Sequence, residues 1–126
     1  MNMILAIAAG GALGAVLRHY VGLVTLSVAG NNFPWGTLGV NVIGSFAMGV
    51  LITYFAISWN PSPEIRGFLT VGLLGAFTTF STFSLDVATL WERGAALAAM
   101  GYIMASVVLS IAALFAGMLI IRQVLA

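Results

Sequence analysis

A run of hydroxyl and aromatic side chains at residues 78–84 is the part of this sequence best suited to chemistry. Five of its seven residues carry a hydroxyl, and the other two are Phe80 and Phe83. Ser and Thr compete for backbone hydrogen bonds, so the run is expected to interrupt a helix. Hydroxyl donors and phenyl rings, whose edges are positive, could replace part of the hydration shell of an anion. Plain packing of two Phe side chains three residues apart is the alternative interpretation.

Further polar side chains stand in apolar surroundings. Asn41 needs a hydrogen-bond partner there. That partner could be a ligand, or another helix through a purely structural hydrogen bond. A stripe at i, i+4 and i+8 is formed by Tyr102, Ser106 and Ser110, although Ser can also bond back to its own helix. Arg18 would be costly within a membrane unless it is paired, functional or reaches the interface. Together these residues supply donors without an acidic group, as an anion path requires.

The composition excludes several classes of function. Only 6% of the 126 residues are charged and 62% are hydrophobic, and the mean hydropathy is +1.16. A soluble domain carries about 25% charged residues. There is no Lys to cluster against phosphates and no Cys for disulfides or thiolate metal sites. The chain also has no catalytic grouping of Ser, His and carboxylate, so we expect neither nucleic-acid binding nor an enzyme.

Uncharged stretches at residues 36–59 and 95–121 are long enough to cross a lipid bilayer, the stretch at 67–85 is marginal, and the first span must include Arg18 to be long enough. They predict one all-α transmembrane domain over residues 1–126, with a break in the third helix, and four spans at about residues 3–28, 36–58, 66–91 and 95–122. Four spans place both termini on one side. Arg66 and Arg122 then lie opposite Arg93, so the cationic residues do not fix an orientation.

Three motifs resemble those of the Fluc (CrcB) fluoride channels: residues 10–18 (GGALGAVLR), 36–41 (GTLGVN) and 72–84 (GLLGAFTTFSTFS). The resemblance covers the chain in order and in size, and the third motif is the most specific. It implies an antiparallel homodimer of four-helix subunits in a prokaryotic plasma or inner membrane. Such a channel lets fluoride ions leave the cytoplasm passively.

The resemblance also implies roles for individual residues. Asn41 would line the pore, and Phe80 and Phe83 would turn their edges toward fluoride. The backbone carbonyls of Gly75 and Thr78, one pair from each subunit, would bind a structural sodium ion (Na+) at the dimer interface. Arg18 would be a vestibule residue that raises the local anion concentration. The rest of the pore lining would be formed by Ser81, Thr82, Tyr102, Ser106 and Ser110.

Two further features accompany the motifs. Asp86 stands where family members often carry Glu, so its role stays open and it is not counted among the site residues. Small residues let helices approach closely, and we expect the subunit interface to use such positions: Gly10, Gly14, Gly39 and Gly44.

The main alternative function is a proton antiporter of the small multidrug-resistance type, which also has four helices. That chemistry needs a carboxylate inside the membrane, typically in the first helix, and the first span here has none. A structural or assembly subunit without transport of its own is a third interpretation. It would leave the hydroxyl and phenyl run unexplained.

Overall fold

The apolar stretches form long helices in the computed structural model, which describes residues 2–125. Helix α1 is Asn2–Ala29 and α2 is Trp35–Ile57. Helix α3 covers residues 63–77, and after a break the chain continues as α4 (Ser81–Glu92) and α5 (Ala96–Leu125). Over this described range, four segments are long and apolar enough to span a membrane, with α3 and α4 counted together as Pro63–Glu92. The four predicted spans are confirmed, and the protein is a multi-pass membrane protein.

The helix ends lie within one to three residues of the predicted ones. The third span begins at Pro63, earlier than expected, because its first turn is well capped. The Ser62 hydroxyl accepts a hydrogen bond from the backbone N–H of Ile65, and Pro63 occupies the first helical turn. Proline is favoured there because its missing N–H would have no partner in any case. The loop between the second and third spans therefore ends at Ser62, three residues sooner than the predicted spans imply.

The third span is broken, as the hydroxyl run predicts. Helix α3 starts as an α-helical turn, widens into a π-helix over Gly67–Leu74 and closes with the short α-helical stretch Gly75–Phe77. Thr78 then adopts an extended conformation, with φ −88° and ψ 161°. Such π-helical segments often occur at functional sites.

Glycines bring α1 into backbone contact with α3. A Cβ atom added to Gly14 would collide with the carbonyl oxygen of Leu73, and one added to Gly10 would collide with that of Phe68. Helices α2 and α5 meet in the same way, because a Cβ on Gly49 would strike the carbonyl oxygen of Leu114. The subunit is therefore built from two close helix pairs, α1 with α3 and α2 with α5.

The expectation that four glycines form the subunit interface is wrong for three of them. Gly10 and Gly14 are buried against α3, and Gly44 lies against the Thr78 methyl group. Only Gly39 leaves open space, with no atom near a Cβ added there. Sequence spacing identified the close contacts but could not say whether they form within or between chains.

The side chains on the outer surface and in the core are distributed as expected for a membrane protein. Long aliphatic side chains on α1 and α5, such as Leu5, Val24 and Leu97, are exposed, which suits a lipid environment. A buried cluster lies toward the end of the bundle that carries the α4–α5 turn, and it contains Leu38, Phe83, Leu90, Ala99 and Tyr102. This cluster fixes α4 and α5 beside α2, just beyond the break.

Candidate functional site

The break between α3 and α4 is held by the side chain of Asn41 from α2. Its Nδ2 atom donates a hydrogen bond to the carbonyl oxygen of Thr79 at 3.0 Å. Its Oδ1 atom accepts one from the backbone N–H of Thr79 at 2.8 Å. One amide thus pairs with both backbone groups of a single residue, as a neighbouring strand would. Asn41 satisfies groups that the interrupted helix leaves unpaired at membrane depth.

Hydroxyl groups finish the two helix ends at the break. The Thr79 hydroxyl accepts a hydrogen bond from the backbone N–H of Thr82 at 3.1 Å, which caps the start of α4. The Thr78 hydroxyl donates to the carbonyl oxygen of Leu74 at 3.0 Å, at the end of α3. Ser81 is exposed, with its hydroxyl 3.4 Å from that of Thr79. The hydroxyl run therefore has a structural task besides any contact with a ligand.

The break also leaves backbone carbonyls without donors. Thr79 is the residue whose N–H would bond to Gly75 in a continuous helix, but that N–H is taken by Asn41. Within residues 2–125, no backbone or side-chain donor bonds to the carbonyl oxygens of Gly75 and Thr78. The C-terminal end of a helix is also the negative end of its dipole. Unpaired backbone carbonyls of this kind are the ligands that cations take at broken membrane helices.

A cavity of about 320 Å³ lies beside the break, between α2, α4 and α5. It is lined by Asn41, Ser45, Thr78, Thr79, Phe80, Phe83, Ser106, Val107, Ser110 and Ile111. The hydroxyl oxygens of Ser106 and Ser110 are buried and have no hydrogen-bond partner in the described part of the chain. Buried hydroxyls are normally paired, so these two leave hydrogen-bonding capacity unused beside the cavity; the Thr53 hydroxyl, which does not line it, is unpaired as well.

The two phenyl rings at the break differ in their surroundings. Their centroids are 5.4 Å apart, with the ring planes at 51°. Phe83 is only 8% exposed and packs against Tyr102, at 5.1 Å between centroids. Phe80 is 78% exposed on the surface of the subunit. Sequence reasoning treated the rings as equivalent, whereas only Phe83 is anchored within the chain.

Tyr102 does not line this cavity. It is fully buried in the core cluster, and its hydroxyl donates a hydrogen bond to a carboxylate oxygen of Asp86 at 3.0 Å. Of the predicted stripe on α5, only Ser106 and Ser110 reach the cavity beside the break. Asp86 was not counted as a site residue. The one signal in the sequence for its contact with Tyr102 was that the two residues, on α4 and α5, lie at a similar depth in the membrane. Spacing along the chain does not reveal a contact between separate helices.

Arg18 and Thr82 belong to a second cavity, of about 430 Å³, on the other side of the break. Its lining includes His19, Thr37 and Thr79, and Thr79 is shared with the first cavity. No carboxylate lines either cavity among the described residues. In addition, no cluster of three or more metal-binding side chains occurs there. The two cavities thus combine a cation with hydroxyl and amide donors and carry no opposing acid.

Comparisons of the sequence with known proteins identify its family. Residues 5–118 match the family described as CrcB-like protein, Camphor Resistance (CrcB). A relative from Rhodospirillum centenum is 57% identical over 126 residues, the full length of both chains. One from Agrobacterium fabrum is 53% identical over 117 residues, 93% of this chain and 94% of the relative. One from Chelativorans is 52% identical over 125 residues, 99% of this chain and all of the relative.

All three relatives are named fluoride-specific ion channel FluC. The resemblance seen in the three sequence motifs is thereby confirmed. On the extent of the family match and the identity over the full chain, this protein belongs to the CrcB family.

Proposed function

We propose that this chain forms a fluoride-selective channel through which fluoride leaves the cytoplasm passively. The observation that carries the proposal is the cavity beside the break, where the Ser106 and Ser110 hydroxyls are buried without partners. Donors of this kind can bind a small anion that has lost its water, and no carboxylate lies there to repel it. The names of the relatives support fluoride as that anion.

The acid–base chemistry of hydrogen fluoride explains why a cell needs such a channel. Hydrogen fluoride is neutral and crosses membranes, whereas in a near-neutral cytoplasm it ionises and the anion is trapped. The membrane potential, negative inside, drives an anion outward through any selective pore. The channel then needs neither ATP nor a coupled ion.

The proposed path runs through both cavities. Arg18 lies in the larger one, which serves as the vestibule, and Thr79, the partner of Asn41, lines both cavities. The Asn41 amide has two N–H groups and uses one for the Thr79 carbonyl. Its second N–H is therefore free to bind the passing anion. The hydroxyls of Ser106 and Ser110 follow.

The phenyl rings would contribute through their positive edges. Phe83 is held against Tyr102 and faces the cavity, so its position is fixed by the subunit itself. Phe80 is mostly exposed, and a second subunit would have to cover it. We therefore propose that each pore is completed by residues of both subunits.

The exposed residues at the break also support assembly as a homodimer. The carbonyl of Gly75 lacks a donor and Gly75 is exposed, as are Phe80 and Ser81. Lipid cannot satisfy polar groups at membrane depth, so protein must cover them. An antiparallel arrangement about a two-fold axis would bring two breaks together, and the Gly75 and Thr78 carbonyls of both subunits would hold one sodium ion. Sodium there would satisfy the unpaired carbonyl oxygens and tie the subunits together.

No observation favours the antiporter. The described carboxylate nearest the site is that of Asp86, which is bonded to Tyr102 and lines a third cavity, of about 300 Å³, that adjoins the vestibule at Thr37 but is not one of the two on the proposed path. A carboxylate that exchanges protons with a substrate would have to reach that path.

The first prediction concerns transport itself. Purified protein in liposomes should release fluoride down its gradient, with valinomycin and potassium to balance charge, and should not release chloride. A fluoride electrode and a chloride electrode measure the two rates in matched vesicles. Release that depends on a proton gradient, or equal release of both anions, would contradict the proposal.

The second prediction separates ring electrostatics from bulk at Phe80 and Phe83. Phe→Ile at either position keeps an apolar side chain but removes the positive edge, so fluoride release should fall by about fivefold, in line with the ~1 kcal/mol of an aromatic contact. Phe115→Ile is the control, because Phe115 is exposed on α5 away from both cavities. If both site variants release fluoride like the control, the rings serve only as packing.

The third prediction concerns orientation. The loop cations barely favour one side, with Arg66 and Arg122 opposite Arg93, so we expect the chain to insert both ways. Three Lys inserted after Asn60 should fix one orientation, and three inserted after Arg93 should fix the other. Each variant should be inactive alone, and activity should return when both are expressed together.

The readout is fluoride resistance of a sensitive bacterial host, with cysteine accessibility at an added terminal Cys to verify each orientation. Full activity of either fixed variant alone would refute the antiparallel dimer. Inactivity of the co-expressed pair, with both orientations verified, would refute it as well.

A further inference from the structure

One face of α1 carries Gly10, Gly14 and Arg18 at i, i+4 and i+8, and all three meet α3. The first two let the backbones touch, at the carbonyl oxygens of Phe68 and Leu73. Arg18 comes one turn later on the same face. It therefore arrives at the end of α3, where the chain leaves the helix.

Arg18 forms a direct bond at that end. Its Nε atom donates a hydrogen bond to the carbonyl oxygen of Ala76 at 3.0 Å. In a continuous helix this carbonyl would accept from the N–H of Phe80, which lies beyond the break. Within the described range, no backbone donor reaches the Ala76 oxygen. Without Arg18 the carbonyl would be unpaired at membrane depth, next to the negative end of the helix dipole.

The bond uses only part of the guanidinium group. Arginine has five N–H donors, and Nε supplies one of them. The remaining four lie on the two terminal nitrogens, and Arg18 lines the cavity shared with Thr79 and Thr82. Among residues 2–125, no carboxylate forms an ion pair with Arg18 at the break or in that cavity. One side chain thus joins the end of α3 to the vestibule.

The bond from Arg18 also distinguishes one carbonyl at the end of α3 from the two that have no donor. Ala76 follows Gly75 in the last helical stretch, so its carbonyl lies about 100° around the helix axis from that of Gly75, toward α1, whereas Thr78 is already extended. Arg18 occupies the Ala76 oxygen and leaves the other two without donors. The charge of the guanidinium is therefore kept on the α1 side of the break.

We propose that Arg18 is a positioning residue, which holds the end of α3 through its Nε–H bond to Ala76 and so keeps the break in the geometry that Asn41 completes. This inference rests on the proposed channel function and adds to it. The rival role is recruitment of anions by charge alone, as expected of a vestibule residue. The two roles depend on different atoms of the side chain, so substitutions can separate them.

The matched variants are Arg18→Gln and Arg18→Met. Gln places its Nε2 donor the same number of bonds from Cα as the Nε of arginine, so it keeps the bond to Ala76 and loses the charge. Met has a similar length and neither donor nor charge. Arg18→Ala is a second donor-free variant, in case the Met protein does not fold.

Two measurements are made on each purified dimer. Amide hydrogen exchange of residues 78–82, followed by NMR in micelles, reports the geometry of the break. Fluoride release from liposomes, at low and at high ionic strength, reports transport. Amides in the middle of α2, such as those of Val50 and Leu51, provide the internal reference.

If Arg18 positions the break, Gln keeps the protection of residues 78–82 within threefold of the parent, while Met and Ala lower it at least tenfold. Fluoride release by Gln falls a few-fold at low ionic strength and approaches the parent at high ionic strength. Met and Ala lose at least tenfold at both. The proposal would be overturned if the Met or Ala variant kept the amide protection of the parent and the Gln and Met variants released fluoride equally slowly. A parent that releases no fluoride would refute the channel function, whereas hydrogen exchange would still decide the role of Arg18.

Discussion

The structure around the break depends on one pairing, in which the amide of Asn41 bonds to both the N–H and the carbonyl of Thr79. A helix interrupted within a membrane leaves backbone groups that lipid cannot satisfy. Each such group would cost about 1–3 kcal/mol if it were left unpaired. Asn41 removes two of these costs at once. By occupying the Thr79 N–H it also prevents that group from closing a helical bond to Gly75, which leaves the Gly75 carbonyl free.

The other parts of the subunit bring this pairing into register. Backbone contact at Gly14 sets α1 so that Arg18 reaches Ala76, on one side of the break. Contact between Gly44 and the Thr78 methyl group sets α2 on the other side, one turn from Asn41. The Thr79 hydroxyl then starts α4. Donors consequently converge on two cavities whose linings include no acid, while Gly75, whose carbonyl has no donor, is exposed.

The sequence predicts much of this, because its strongest signals are local. Apolar length predicts the four spans, and the hydroxyl run from Thr78 to Ser84 predicts the break. Contacts between helices are not local, so the spacing of Gly10 and Gly14 could not show that they pack within the chain. The bond between Asp86 and Tyr102, and the different exposure of Phe80 and Phe83, depend on how α4 turns after the break. That rotation is set by the π-helix and the extended Thr78, which no simple period encodes.

The most direct test of the account is the hydrogen-exchange rate of the Thr79 amide in Asn41→Ala. A hydrogen bond worth about 1–3 kcal/mol corresponds to ~5–150-fold protection, and we predict a loss of at least about fivefold. Ser45→Ala is the matched control, because Ser45 lies one turn further along α2 and lines the same cavity. The control should keep the parent rate. Thr79 protection in Asn41→Ala equal to that of the parent would contradict the claim that this side chain holds the break.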